Sequence, residues 1–147
     1  MNKNLSKQLK PSEKVKMTEH DMEILAKTIF GEARGESEEG QIAVACCILN
    51  RFKSGRWYAG KTIAETCQKP WQFSCWNVND PNREKLEALS FPAFSKYFPI
   101  IAKAKEKDIT GGATHYYAPK VVKCPKWAEG KEPCARIGNH LFFREID

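Results

Sequence analysis

Met22, Leu25, Ala26 and Ile29 fall at i, i+3, i+4 and i+7, the spacing of one buried helical face, and Thr18 with Asp21 supplies an N-cap arrangement ahead of them. The pattern predicts a helix that starts at Thr18. Carried forward, the same count puts Glu32 on the apolar stripe, a carboxylate where a hydrophobic residue is expected, with Gly31 and Gly35 on either side of it. The helix is expected to fray or end there, where Arg34 could also reach inward. Ser37, with Glu38 and Glu39 in the following turn, is expected to cap a second helix running through IAVACCIL to Asn50 and Arg51. Eight consecutive apolar residues also suit a buried strand. The alanine and cysteine content and the preceding cap favour a helix, apolar on every side and forming the axis of the core.

Downstream, Phe52 to Gly60 reads as loop, KTIAETC as a short helix, and QKPWQFSCWNVNDPN as a loop carrying two tryptophans and a phenylalanine. Asp80-Pro81 is expected to open a helix to about Leu89, and a longer helix is expected from roughly Ala93 to Lys107, bent or interrupted at Pro99. Gly111-Gly112 then signals a turn into ATHYYAP, whose β-branched and aromatic content suits a strand, and NHLFFRE offers a second strand to pair with it. The expected class is α+β: mostly helical, a single domain with a small antiparallel β element.

A length of 147 residues is one domain's worth of chain, and 41% hydrophobic with 29% charged residues excludes disordered, collagen-like and coiled-coil classes. No stretch approaches the roughly 18 apolar residues of a membrane span, and the basic N-terminal segment has no apolar region behind it that would make a secretory signal. Five lysines and one glutamate in residues 1–16 hold +4 of the net +6. Residues 1–17 are therefore expected to be a flexible basic tail and 18–147 the folded domain. Cys46 and Cys47 lie in the apolar run and read as buried thiols, whereas Cys124 and Cys134 bracket a Pro-, Gly- and Lys-rich loop and are the pair expected to bridge in an oxidising space.

Glu32 is the main chemical candidate. Burial and the negative end of the helix dipole both favour the neutral carboxylic acid, the form a general acid must hold. The alternative is a structural ion pair with Arg34. Glu36, four residues on, could complete a glycosidase carboxylate pair or serve a nearby cation. Trp71, Phe73, Trp76, Tyr116 and Tyr117 would suit a groove for sugars, with Gln72, Asn77 and Thr114 as hydrogen-bonding groups, and core packing is the competing fate of those rings. His20, His115 and His140 show no metal-ligand spacing, so no metal and no cofactor is expected. A zinc site from His115 and His140, or a Cys67 or Cys75 nucleophile with a histidine, has no positive signal. Nor does nucleic-acid binding, for which only the net charge speaks.

From AKTIFGEARGESEEGQIAVACCILNRF onward the chain resembles the SleB-type cell wall hydrolase family, the catalytic domain of spore cortex-lytic enzymes, with relatives in bacterial envelopes and phages. The likeness continues in order through WQFSCWN, GGATHYYAP, PKWA and IGNHLFF, so only the tail lies outside it. The resemblance implies a lysozyme-like domain acting on peptidoglycan glycan strands at the MurNAc-GlcNAc bond, as a monomer that does not insert into membranes. It implies Glu32, the first glutamate of GEARGE, as the catalytic residue. Lytic transglycosylases use one such glutamate to protonate the leaving oxygen and then take the proton of the C6 hydroxyl, closing a 1,6-anhydro ring. Glu36, Gln72, Phe73, Ser74, Thr114, Tyr116 and His140 match further motif positions and are expected to line the groove or brace Glu32. Trp76 joins them from the aromatic loop. Spore enzymes carry an export signal and a wall-binding repeat, neither of which is seen here. The expectation is instead a chain made in the cytoplasm that acts on the wall, as a phage endolysin released by a holin would. Two other readings stand beside it: a peptidoglycan amidase or endopeptidase using Cys or zinc, and a non-catalytic wall-binding module.

Overall fold

The computed structural model describes residues 16–147, and of the tail expected over residues 1–17 the first fifteen residues lie outside them. Thr18 caps the first helix, α1 (Glu19–Ala33), reciprocally: its hydroxyl accepts from the Asp21 N–H at 3.0 Å, and its own N–H donates to Asp21 Oδ2 at 3.1 Å. The second oxygen of this buried carboxylate accepts the Ala64 N–H at 2.9 Å, at the start of α3 (Ile63–Gln68). One side chain thus satisfies free N–H groups at the ends of two helices. Met17 packs against the core, so the folded part reaches just ahead of the cap.

Ser37 caps α2 (Glu38–Ser54), which runs three residues beyond Arg51 to Gly55, in the left-handed conformation at φ 64°. From Ala43 to Ile48 no residue of α2 is more than 1% exposed, as a helix forming the axis of the core requires. Burial pushes the Cys46 and Cys47 thiols up to about 11 and about 12, in keeping with inert core thiols. Around this axis stand α1, α3, β1 (His115–Tyr117) and α6 (Phe98–Glu106), while α1 also packs against α4 (Pro81–Glu87) and α5 (Phe91–Ser95). The single helix expected over Ala93–Lys107 is two, α5 and α6. The break falls at Lys96-Tyr97, and Pro99 sits in the first turn of α6, where a missing N–H breaks no helical bond.

The two expected strands pair as read: β1 (His115–Tyr117) runs antiparallel to β3 (His140–Phe143), with Tyr116 opposite Phe142. A third strand, β2 (Ala135–Ile137), is added on the other side of β3, and the hairpin between them turns at Gly138-Asn139. Tyr116 and Phe142 face the helical core. Tyr117 and Phe143 face outward onto Trp127 and Ile146, which form a small second cluster. The expected Cys124–Cys134 bridge is not made: both are free thiols with different partners, Cys134 donating to Thr110 O at 3.2 Å and Cys124 lying exposed beside Pro125. Among the described residues, no helix is long and apolar enough to cross a membrane.

Helix α1 passes so close to the 3-10 turn Ser74–Trp76 that a Cβ on Gly31 would lie 2.9 Å from both Cβ and Sγ of Cys75. Gly35, in the link to α2, has open space around it. Gly31→Ala should therefore lower the unfolding free energy by about 1–3 kcal/mol despite the better helix propensity of alanine, whereas Gly35→Ala should change it by less than about 0.5 kcal/mol. Urea denaturation of the two variants checks this.

Candidate active site

Glu32 lies in the last turn of α1, half-buried, and the phenol of Tyr116 reaches across from β1 to donate to its Oε1 at 2.6 Å. Burial, and then the negative charge of Glu32, push the Tyr116 hydroxyl well above its usual range, so it remains a donor at any working pH. Cys75 flanks the same carboxyl from the 3-10 turn: burial, followed by the charge and hydrogen bonding of Glu32, raises its thiol as well. Arg34 does not turn inward to pair with Glu32. Its guanidinium sits 4.8 Å from the Phe30 ring centroid and donates to Phe30 O, outside the site.

Glu36, in the link between α1 and α2, has a different environment. The backbone N–H of Asn139 donates to its Oε1 at 3.2 Å and the Asn139 side chain to its Oε2 at 3.1 Å. Burial works to raise this carboxyl, but the two Asn139 bonds and nearby His140 outweigh it and hold Glu36 below the usual carboxylate range. Gly138 permits the approach, since a Cβ there would come within 2.7 Å of Glu36 Oε1. Burial holds the imidazole of His140 below the ordinary histidine range against the pull of Glu36 and Glu32. Its Nδ1, 4.0 Å from Glu36 Oε1, is buried with no hydrogen-bond partner among the described residues. These groups, with Tyr116, Tyr117 and a lip at Lys120–Val122, line an open cleft of about 590 Å³.

Tyr116 also borders a second, smaller cleft of about 220 Å³, lined by Arg51, Trp57, Trp71, Gln72, His115 and Trp127 among others. Arg51 is buried at the end of α2. Its Nε donates to Thr114 O at 2.9 Å, its NH1 to Gln72 Oε1 at 3.2 Å, and its guanidinium carbon lies over the Phe73 ring, 4.6 Å from the centroid.

Of the residues singled out from sequence, Glu32, Glu36, Tyr116 and His140 meet in the larger cleft, and Gln72 lines the smaller one. Phe73 and Trp76 do not line either: they are 2% and 3% exposed, and Trp76 Nε1 donates to Thr28 Oγ1 inside the core. The turn at Ser74–Trp76 sends these rings inward and leaves Trp71 outside, so the loop divides its aromatics between core and surface. Ser74 is exposed but lies outside both clefts. Thr114 is buried behind them, its Oγ1 2.9 Å from His115 Nδ1. Arg51 and Asn139 join the site without being among the residues expected there. Arg51 falls on the Val44–Cys47–Ile48 stripe as Glu32 falls on that of α1, so the same periodicity carries its signal.

A family model described as Cell Wall Hydrolase matches residues 35–143. The chain belongs to the cell wall hydrolase family. The matched segment contains Glu36, Arg51, Tyr116 and His140 and begins just after Glu32. Curated relatives include spore cortex-lytic enzymes of Bacillus subtilis (strain 168), 31% identical over 84% of this chain, and of Halalkalibacterium halodurans, 29% identical over 85%. The chain spans only 37% and 35% of those two proteins. Among solved structures it is similar to the catalytic domain of the Bacillus cereus SleB protein, with a TM-score of 0.71 and 25% identity over 89% of this chain and 96% of that domain. The catalytic domain of the germination-specific lytic transglycosylase SleB from Bacillus anthracis gives a TM-score of 0.63 and 26% identity over 86% of this chain and 96% of the domain. The part shared with cell wall hydrolases of this type is thus their catalytic domain.

A consequence for stability follows from His115, packed between Tyr58 and Trp127. Burial, and then the nearby Arg51 charge, push this imidazole down to about 3 from an ordinary 6.5. The unfolded chain therefore binds a proton that the folded protein refuses as the pH drops from about 6.5 towards 3, and stability should fall through that window. His115→Gln should make the fall shallower by about one proton in slope, measured as urea unfolding free energy against pH.

Proposed function

We propose that this cell wall hydrolase domain cleaves peptidoglycan glycan strands between MurNAc and GlcNAc as a lytic transglycosylase, with Glu32 as acid and then base. The observation that carries the reading is the contrast between its two cleft carboxylates: Glu32 is bound by one phenol at Oε1, whereas Glu36 is bound on both oxygens by Asn139. Tyr116 fixes one oxygen of Glu32, so the transferable proton belongs on the other, Oε2. Glu32 gives that proton to the O4 oxygen of the departing GlcNAc as the bond to MurNAc C1 breaks. The resulting carboxylate takes the proton of the C6 hydroxyl of the same MurNAc while O6 closes on C1. No water and no external reagent enters, and Glu32 ends protonated for the next turnover. The printed names of the relatives, cortex-lytic enzymes and a lytic transglycosylase, support this chemistry.

An amidase or peptidase reading finds less support. Burial, opposed by a bond to Thr28, pushes the Cys67 thiol up to about 12, and Cys75 is raised further still. Neither is a thiolate at neutral pH. His115 and His140 do not converge, since Thr114 takes up the first and the second lies against Tyr116.

Mass spectrometry of a digest of purified peptidoglycan tests the proposal. Wild-type protein should release anhydromuropeptides, and Glu32→Gln should lower the rate by about 10³-fold while keeping the fold. Tyr116→Phe should cost about 10- to 100-fold, the worth of one hydrogen bond to a charged group. Fragments heavier by one water would make the domain a hydrolase, and full activity of Glu32→Gln would overturn the assignment.

A further inference from the structure

Trp57 and Trp71 are 65% and 76% exposed, and both border the smaller cleft on the far side of Tyr116 from Glu36. Large aromatic side chains are normally buried, and two of them bordering one concavity form a solvent-facing apolar surface that core stability does not require. Trp71 is also held at φ 67°, the left-handed region that a bulky residue seldom adopts. Its N–H donates to Asn77 Oδ1 at 3.3 Å, which helps fix the loop in that shape. The strain therefore serves to present the indole outward, and strain of this kind collects at ligand clamps.

The polar groups of the cleft define what would lie there. Arg51 takes Gln72 Oε1, which orients the amide so that its Nε2 end remains as a donor for a ligand. The guanidinium itself is buried beneath that amide. Asp147, at the rim, pairs with Arg56 at 2.9 Å. Two flat aromatic surfaces and a neutral donor, with the charges paired or buried, suit an uncharged ring that has one apolar face and hydroxyl or acetamido groups at its edge.

We infer that the smaller cleft is a pyranose-binding site, in which Trp57 and Trp71 stack on the C–H faces of an N-acetylated sugar and Gln72 donates to its polar edge. The inference rests on the glycan-strand reading above and extends it. The strand would cross Tyr116 beside Glu32, with one arm along Glu36 and His140 and the other held by the tryptophans.

The test uses full-length Glu32→Gln protein, so that strands stay intact, titrated with GlcNAc oligosaccharides and with glycan strands stripped of stem peptides, and followed by tryptophan fluorescence. Binding should shift the emission, and Trp57→Ala and Trp71→Ala should each weaken it about tenfold, with a smaller shift in each. In the active enzyme the same substitutions should raise KM for long strands more than they lower kcat. Trp71→Gly separates binding from folding: it removes the left-handed strain, so its unfolding midpoint should not fall, while its affinity should fall as in Trp71→Ala. Affinities within twofold of the parent in both alanine variants would overturn the inference, as would a loss of affinity in Trp71→Gly matched by a loss of stability. Strand binding through the two tryptophans without any lysis by the wild type would sink the lytic reading alone. Normal lysis with unaltered binding would sink this site alone.

Discussion

The site depends on a guanidinium buried at the end of α2, whose hydrogen bonds go to neutral oxygens. Arg51 holds Thr114 O with Nε and Gln72 Oε1 with NH1 while stacking on Phe73, and so joins the central helix, the start of β1 and the aromatic loop at one point. A charge removed from water needs all of these partners, and each oxygen would in turn be left unpaired without it, at a cost of about 1–3 kcal/mol. Lysine has neither the flat fork nor the stacking face to replace it. Because Thr114 is two residues from Tyr116, fixing its carbonyl fixes the register from which the Tyr116 phenol reaches Glu32.

A second tether sets the approach to β1. Asn50, the neighbour of Arg51, donates to Asp108 Oδ2 and to Ala113 O, and Asp108 in turn gathers the N–H groups of Thr110 and Gly112. Burial works to raise the Asp108 carboxyl, but these bonds outweigh it and hold it below the usual range. The Asn-Arg pair that ends the apolar run of α2 thus fixes both the turn before β1 and the strand itself. Polar residues on a buried helical stripe, Glu32 on α1 and Arg51 on α2, mark the two places where the core gives way to the site.

That rule also explains what the sequence made legible. The helices α1 and α2, their caps and the strands β1 and β3 follow from periodicity, capping residues and β-branched or aromatic runs, all local signals. Strand β2 did not show because the alternation of Ala-Arg-Ile spans only three residues, too few to stand out from the loop around it, and its pairing with β3 is set by the Gly138-Asn139 turn. The break falls at Lys96-Tyr97 and not at the expected Pro99 because proline is compatible with a first helical turn as well as with an interruption. Composition announced an aromatic loop but not its sidedness: one 3-10 turn buries Phe73 and Trp76 and leaves Trp71 in water. For Cys124 and Cys134 the flanking loop suggested proximity, yet Cys134, just ahead of β2, gives its thiol to Thr110.

The two carboxylates at the α1–α2 junction show how environment divides roles between like residues. Glu36 is ionised below its usual range and engaged on both oxygens by a residue of the β2–β3 turn, in a space that Gly138 leaves by lacking a Cβ. To activate a water it would have to release Asn139, and with it the turn that brings His140 against Tyr116 at a ring distance of 4.9 Å. In the proposed reading such a carboxylate is a brace. Glu32 is bound by a phenol whose proton is held tightly, which positions one of its two oxygens. With one carboxylate engaged on both oxygens and the other on a single oxygen, the site suits the proposed chemistry, in which one group gives a proton and then takes another and the substrate's own C6 hydroxyl is the nucleophile.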